Sequence, residues 1–418
     1  MQAEAASGIE GRWWSTEGRT QQLIDLARES SPLYVYDGPS VAQALSQLRS
    51  LSSIDSFFYA IKANPHPDVL RAVYEAGFGF ECVSPGEVKH VLALFPGLKL
   101  IDSAAPATTT SPFRGGRLLF TPNFAPRKEY EYALSVGAIV TLDSLYPLQQ
   151  WGSTFAGKHI MLRLDPSVRK GHHEHVKTAG KESKFGIASE ELPIAAELAA
   201  KHGVHVAALH AHVGSGILSS TTWRENADYL AACARQYFPS ATSLDLGGGL
   251  GIVEVPGEQT ALNMQEVDKL VKEFKQKNPE FSLWLEPGRF PIAEAVDNSE
   301  SIPGVLLCTV TQLKSKGSYN YIGVDTGFNS LIRPILYAAH HQIVNLSRLH
   351  STPGGPSITA EIVGNICESG DVFGHARTMP ADTQEGDIVL IATAGAYGHS
   401  MASNYNLRDP ATEHFLPN

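Results

Sequence analysis

Ser56-Phe-Phe-Tyr-Ala-Ile-Lys-Ala-Asn64 decides how the rest of the chain is read. Phe57 to Ile61 run without a charge and stop at Lys62, and Asn64-Pro65 and His66-Pro67 follow. A short aromatic and branched run bounded by turn formers predicts a buried strand, and a residue preceding proline is pushed out of the helical region. With a side-chain period of two, Lys62 shares a face with Ala60 and Phe58. Burial depresses an ammonium pKa, and a neutral lysine amine is a nucleophile able to form a Schiff base with a carbonyl cofactor. The plain alternative is a lysine snorkelling out of a strand end. This stretch alone leaves both open.

Working outward, strand and helix patterns alternate. Strands are expected at Ser56–Ile61, Gly79–Val83, Leu118–Thr121, Ala138–Leu142, His159–Leu164, Val206–His212, Thr242–Leu246 and Phe281–Glu286. Helices are expected at Pro67–Glu75, Pro85–Leu94, Arg127–Leu134 and Leu192–Lys201. Eight strands so separated predict a parallel (β/α)8 TIM-type barrel over residues 38–289. The segment Phe95–Gly116, rich in Pro, Thr and Ser, reads as an insertion. A helix at Gln21–Arg28 and a strand at Pro32–Asp37 precede the barrel. Beyond Glu286, strands at Val305–Leu313, Tyr319–Val324, Gln342–Leu346, Ser357–Ile362 and Asp387–Ala392 predict a C-terminal antiparallel β domain, residues 290–418 joined by 13–37. Residues 1–12 are small and polar, include Ile9-Glu-Gly-Arg12, which also reads as a protease-recognition sequence or a linker, and are left out of the fold.

Composition excludes several function classes. Of 418 residues 43% are hydrophobic and 18% charged, an ordinary globular balance. A net charge of −10 without a Lys/Arg block argues against nucleic acid and anionic membranes. No apolar run approaches the roughly 20 residues a membrane helix needs. Cys82, Cys233, Cys308 and Cys367 are scattered with no CxxC pair, which fits reduced thiols in a cytoplasmic enzyme.

Barrel chemistry sits at the carboxyl ends of the strands. There the chain offers Lys62, then His210-Ala-His212-Val-Gly-Ser215, then Gly247-Gly248-Gly249-Leu-Gly251, then Glu286-Pro-Gly288-Arg289. A glycine-rich loop lets backbone N–H groups approach a phosphate, and Ser215 and Arg289 share that rim; a tight turn is the plain reading of three glycines alone. A carboxylate closing the apolar run Ser-Leu-Trp-Leu-Glu286 needs a cation, which a protonated pyridine nitrogen would supply. An imidazole at His212 has the flat face to stack on a ring. Lysine, carboxylate and phosphate cradle are the parts of a pyridoxal phosphate site.

These motifs, with Gly327-Phe-Asn-Ser-Leu-Ile-Arg333-Pro-Ile-Leu-Tyr337, Cys367-Glu368-Ser-Gly-Asp371 and Gly395-Ala-Tyr397-Gly398, resemble the pyridoxal-phosphate-dependent ornithine/diaminopimelate/arginine decarboxylases. That group has the alanine-racemase-like barrel, and the diaminopimelate-specific branch is the most similar. The resemblance implies Lys62 as Schiff-base lysine and His212 on the cofactor ring. It puts Ser215, Gly247, Gly248, Gly249, Gly288 and Arg289 around the phosphate, and Glu286 on the ring nitrogen. Cys367 would donate a proton from a second subunit of a homodimer, and Tyr397 would contact cofactor and substrate. The chain departs from the pattern at Gly216, where glutamine is common, and at Asn365, where proline is common.

For the substrate, a second amino-acid end needs a fixed cation and a fixed anion. Arg289, Arg333 and Tyr337 suit a distal carboxylate, and Glu368 a distal ammonium. The resemblance thus implies decarboxylation of meso-2,6-diaminopimelate at its D-centre to L-lysine and carbon dioxide, the last step of lysine biosynthesis. The alternatives are an ornithine or arginine decarboxylase, an amino-acid racemase of the same fold, or a non-catalytic pyridoxal-phosphate-binding protein. His172, His173 and His175 tempt a metal reading, but no second-shell carboxylate pattern accompanies them and no metal is expected.

Overall fold

The computed structural model describes residues 9, 11–101, 112–166, 183–255, 258–293, 303–350 and 355–417. The His172, His173 and His175 cluster lies outside the described residues, and of residues 1–12 only Ile9, Gly11 and Arg12 fall within them.

Eight parallel strands close a barrel: β2 (Ser56–Ala60), β3 (Gly79–Cys82), β4 (Leu118–Phe120), β5 (Ile139–Leu142), β6 (His159–Arg163), β7 (His205–His210), β8 (Ser243–Asp245) and β9 (Ser282–Leu285). β9 pairs back onto β2 through Ser56 opposite Trp284 and Phe57 opposite Leu285. Side chains alternate as the strand period demands. Phe58 points into a cluster with Leu119, Met161, Ala208 and Trp284, while its neighbour Tyr59 belongs to the larger layer packed by the helices. The helices Pro67–Glu75 and Pro85–Leu94 have the expected limits. Ser84 Oγ accepts the Glu87 N–H at 3.2 Å and Glu87 Oε2 accepts the Val83 N–H at 2.6 Å, so each end of the cap satisfies a backbone donor.

One sequence expectation needs correction, and two points that the sequence left open are filled in. The first strand ends at Ala60, and Ile61–Ala63 form a 3-10 turn, so Lys62 is aimed by that turn and not by strand alternation. The Phe95–Gly116 insertion enters the core: Phe113 is buried, its ring 6.0 Å from Trp284, and fills the barrel beside Phe58. The long helices Thr222–Tyr237 and Met264–Lys277 complete βα units whose helices the sequence reading left without limits.

The second sheet is mixed. β1 (Leu33–Asp37), β10 (Gly304–Lys316), β11 (Tyr319–Val324), β12 (Ile343–Asn345), β13 (Ser357–Val363), β14 (Val372–Pro380), β15 (Ile388–Ile391) and β16 (Thr412–Leu416) form it. Most pairings are antiparallel as expected, but β1 runs parallel to β16, and β11 parallel to β13. Because β1 precedes the barrel and β10 follows it, the barrel is threaded between two adjacent strands of one sheet. Among the described residues, no helix is long and apolar enough to cross a membrane.

Candidate active site

The carboxyl ends of the barrel strands surround a cavity of ≈ 240 Å³. Lys62, His212, Ser215, Gly248, Gly249, Glu286, Gly288, Arg289 and Tyr397 all line it, so nine of the expected residues converge on one volume.

The turn carrying Lys62 is held from both domains. Tyr59 Oη donates to the Asn64 carbonyl at 3.2 Å, and Asn64 Nδ2 donates to the Gly395 carbonyl at 3.0 Å. The Tyr397 N–H donates to the Ala63 carbonyl at 2.8 Å. Tyr397 adopts φ 57°, a left-handed conformation costly for a side-chain-bearing residue, and its ring lies 5.0 Å from the Arg289 guanidinium. Lys62 is 41% exposed because its amine faces the open cavity, and there it donates to the carboxylate of Glu81, itself 1% exposed. The Thr121 hydroxyl donates to the other Glu81 oxygen.

This pairing reverses the expectation of a depressed lysine pKa. Burial pulls it down, but the negative charges of Glu81 and Glu286 and the hydrogen bond to Glu81 more than offset burial, and the net shift is upward.

Glu286, 8% exposed, follows β9, and its Oε2 lies 3.3 Å from His210 Nε2. Burial favours its neutral form, yet His210 and then Lys62 win, pulling the carboxyl down to about 2. His212 goes the other way: burial, then the Arg163 charge, push it down to about 3. Its Nδ1 accepts the Gly248 N–H at 3.1 Å, which fixes a neutral tautomer carrying its hydrogen on Nε2.

The glycines do something the phosphate argument overlooked. A Cβ on Gly248 would lie 2.2 Å from the Glu286 carbonyl oxygen, and one on Gly249 2.3 Å from that of Gly214. Gly249 also has φ 86°. The loop is glycine first because three strand-end backbones crowd together, and the Gly248 N–H is spent on His212.

Arg289, 7% exposed, has an Nε without a hydrogen-bond partner; burial and then the Arg333 charge bring its pKa down to about 10. Arg333 opens the short helix Arg333–Tyr337 behind it, and its Nη2 donates to Glu254 Oε1 at 2.8 Å. Cys367 and Glu368 stand apart, exposed on the β domain and outside the cavity lining. Asp371 builds their loop, accepting the N–H groups of Phe328 and Ile366 at 2.7 and 2.8 Å. The Cys367 N–H donates to Asn406 Oδ1 at 2.8 Å, and the Tyr405 hydroxyl to Glu368 Oε1 at 2.9 Å.

Sequence reasoning missed Glu81, Thr121, Arg163 and Glu254. Glu81 is the penultimate residue of β3, Thr121 follows β4 and Arg163 ends β6, so the strand-end rule carries their signal. Glu254 had none, since it lies in a loop with no motif around it.

The residues fit an anionic, aromatic carbonyl cofactor: a lysine on an accessible turn, a buried anion with Oε1 unpartnered, a neutral imidazole and a partly unsatisfied arginine. The chain belongs to the pyridoxal-dependent decarboxylases, whose pyridoxal binding domain matches residues 40–293. Among its relatives, the diaminopimelate decarboxylase of Methanothermobacter thermautotrophicus is 35% identical, over 93% of this chain and 88% of that one. That of Archaeoglobus fulgidus is 30% identical over 94% and 89%. The crystal structure of the Helicobacter pylori diaminopimelate decarboxylase, complexed with L-lysine, superposes with a TM-score of 0.80 at 25% identity, covering 94% of each chain.

Proposed function

We propose that this chain decarboxylates meso-2,6-diaminopimelate at its D-centre, giving L-lysine and carbon dioxide, with pyridoxal 5′-phosphate in the barrel cavity. The observation that carries the reading is the convergence of Lys62, His212, Glu286 and Arg289 on that cavity, in a chain this similar to diaminopimelate decarboxylases. When bound, the cofactor supplies an electron-withdrawing ring that delocalises the charge left as carbon dioxide departs.

The chain's own residues do the rest. Lys62 Nζ would be the amine for the cofactor's aldehyde, and the Glu81 Oε2 to which it donates is the acceptor placed for the proton that amine must lose first. Glu286 is the anion for the ring nitrogen, and neutral His212 offers its face to the ring. Ser215 and Arg289 would hold the phosphate, beside the loop formed by Gly247, Gly248 and Gly249. Gly288 leaves room for Tyr397, whose hydroxyl would lie 3.0 Å from any Cβ there. Arg289, Arg333, Tyr337 and Tyr397 bind substrate, with Glu368 on the distal ammonium.

Cys367 is the proton donor, and its exposure outside its own cavity is why we place it in the site of a second copy, in a homodimer. Leu407, 96% exposed, follows the Asn406 that anchors the Cys367 backbone, and supplies apolar surface for that contact. Four free cysteines fit a reducing, cytoplasmic setting.

One observation favours a second reading. Arg333 is already paired with Glu254, which suits a basic amino acid lacking the distal carboxylate. Product analysis after separate incubation with diaminopimelate, ornithine, arginine and lysine decides. L-lysine and carbon dioxide from diaminopimelate alone support the first reading; release from ornithine or arginine transfers the assignment to the second.

A further inference from the structure

Glu286 has two buried neighbours that the proposed chemistry leaves unused. One nitrogen of His210 and one oxygen each of Asp245 and Glu286 all lie within 4.8 Å of one another, and the three side chains are 1%, 0% and 8% exposed. Asp245 accepts the Gly247 N–H on Oδ1 at 2.9 Å. Its Oδ2 has no hydrogen-bond partner, and neither has Glu286 Oε1.

Two carboxylates this close, away from water, do not both ionise, so one of them keeps a proton. The charges facing the pair decide which. Glu286 has His210 at 3.3 Å and feels the cations Lys62 and Arg163. Asp245 faces the Glu286 charge and, further off, that of Glu81, in full burial. Burial and the Glu286 charge raise the Asp245 carboxyl, while Glu286 is pulled down.

We infer that Asp245 is a neutral carboxylic acid that donates a hydrogen bond to Glu286, and that Asp245 and His210 together are positioning residues fixing Glu286 as the anion for the cofactor's ring nitrogen. This rests on the pyridoxal phosphate reading of the cavity. Asp245 thus acts through Glu286 from the end of β8, one strand away. The same three groups would suit a first-row dication. A metal there would consume the negative charge that Glu286 offers to the cavity, so it is an outcome of the test and not the proposal.

Asparagine mimics a protonated aspartate: its oxygen still accepts from Gly247 and its amide still donates toward Glu286. Leucine keeps the volume and loses both. The cofactor dissociation constant and the absorption spectrum of the bound cofactor are measured from pH 5 to 9 in the wild type, Asp245→Leu and Asp245→Asn. Asp245→Leu is expected to weaken cofactor binding about tenfold or more and to move the spectrum, and Asp245→Asn to restore both. An Asp245→Leu protein indistinguishable from wild type, or an Asp245→Asn protein as impaired as leucine, overturns the inference.

Difference infrared spectra of the apoprotein at pH 7 give a readout free of cofactor and folding arguments, since Asp245→Asn keeps the shape. A protonated-carboxyl band present in wild type and lost in Asp245→Asn supports the inference, and a wild type without that band sinks it. Stoichiometric zinc binding to the apoprotein that Asp245→Asn abolishes overturns it in favour of the metal. A wild type that binds no cofactor ends the cavity reading, while the infrared band still decides the state of Asp245.

Discussion

Glu254 and Arg333 form a buried ion pair across the boundary between barrel and β domain. Arg333 Nη2 donates to Glu254 Oε1 at 2.8 Å, Arg289 Nη1 lies 3.6 Å from the same oxygen, and Arg333 is 1% exposed. The Glu254 backbone is fixed as well: its N–H donates to Gln259 Oε1 at 2.7 Å, and its carbonyl lies 3.1 Å from His340 Nδ1. A carboxylate of the chain itself thus stands between two arginines that the sequence reading reserved for a substrate carboxylate.

Removing that charge with Glu254→Gln leaves two buried guanidiniums without their anion. Breaking a buried pair in this way costs about 3–5 kcal/mol, less here because the arginines border a cavity. Urea unfolding is expected to show a loss of about 2 kcal/mol. Millimolar glutarate should restore more stability to the variant than to the wild type. Equal stability of the two proteins would show that the pair does no structural work.

Lys62→Arg keeps a cation for Glu81 while removing the primary amine. The fold should survive, borohydride should trap no cofactor on the chain, and decarboxylation should fall by about 10³-fold or more. Mass spectrometry of the reduced protein checks the first point, and a trapped adduct on the variant would move the attachment to another lysine.

Cys367→Ala should keep its cofactor and lose most turnover. If Cys367 serves a second copy, mixing inactive Cys367→Ala with inactive Lys62→Arg regenerates one intact site in each mixed dimer, about a quarter of wild-type activity overall. No recovery after co-refolding would confine Cys367 to its own chain.

Acid sensitivity should begin above the carboxylate range. His341 Nδ1 donates to the Ala392 carbonyl at 2.8 Å and its Nε2 faces Arg333 at 3.4 Å. Burial, then that guanidinium, hold its pKa down to about 3, against about 6.5 unfolded. Between those values the unfolded chain binds the extra proton, so stability present above pH 6.5 is lost as pH falls, by up to about 1.4 kcal/mol per pH unit. His212 adds a loss of the same sign. Melting temperatures from pH 8 to 4 should fall less steeply in His341→Gln; superimposable slopes would rule His341 out as a source.

Phe113→Ala should cost about 3–5 kcal/mol, the usual penalty for emptying a buried phenylalanine site. Denaturant unfolding measures it. A loss under about 1 kcal/mol would mean that the barrel interior does not depend on the insertion.

The barrel was legible because its strands are short apolar runs punctuated by glycine and proline, and the ends of those runs pointed to Lys62, His212 and Glu286. Glu81 was not, since an acid in Gly-Phe-Glu-Cys looks like a solvent-facing residue until the barrel closes around it and all four positions are buried. Its pairing with Lys62 was hidden for the same reason: a partner contributed by the next strand cannot be read from either strand alone. β14 and β16 escaped notice because Val372–Pro380 carries His375, Ala376 and Thr378 on exposed positions that break the alternation, and because Thr412–Leu416 gains its identity only from β1. Cys367 was legible as a motif but not as a place; its exposure became visible only with the β domain assembled.

The parallel pairing of β1 with β16 carries a consequence for the newborn chain. β1 emerges from the ribosome before any barrel strand, yet Leu33 to Asp37 find Thr412 to Leu416 only after every barrel strand has been made. Until then one edge of β1 carries unpaired backbone N–H and C=O groups beside a barrel already free to close, and such an edge invites pairing with foreign strands. A chain cut short before Thr412 would therefore have its barrel complete and a ready-made docking edge for misassembly, so quality control of this protein is written into β16.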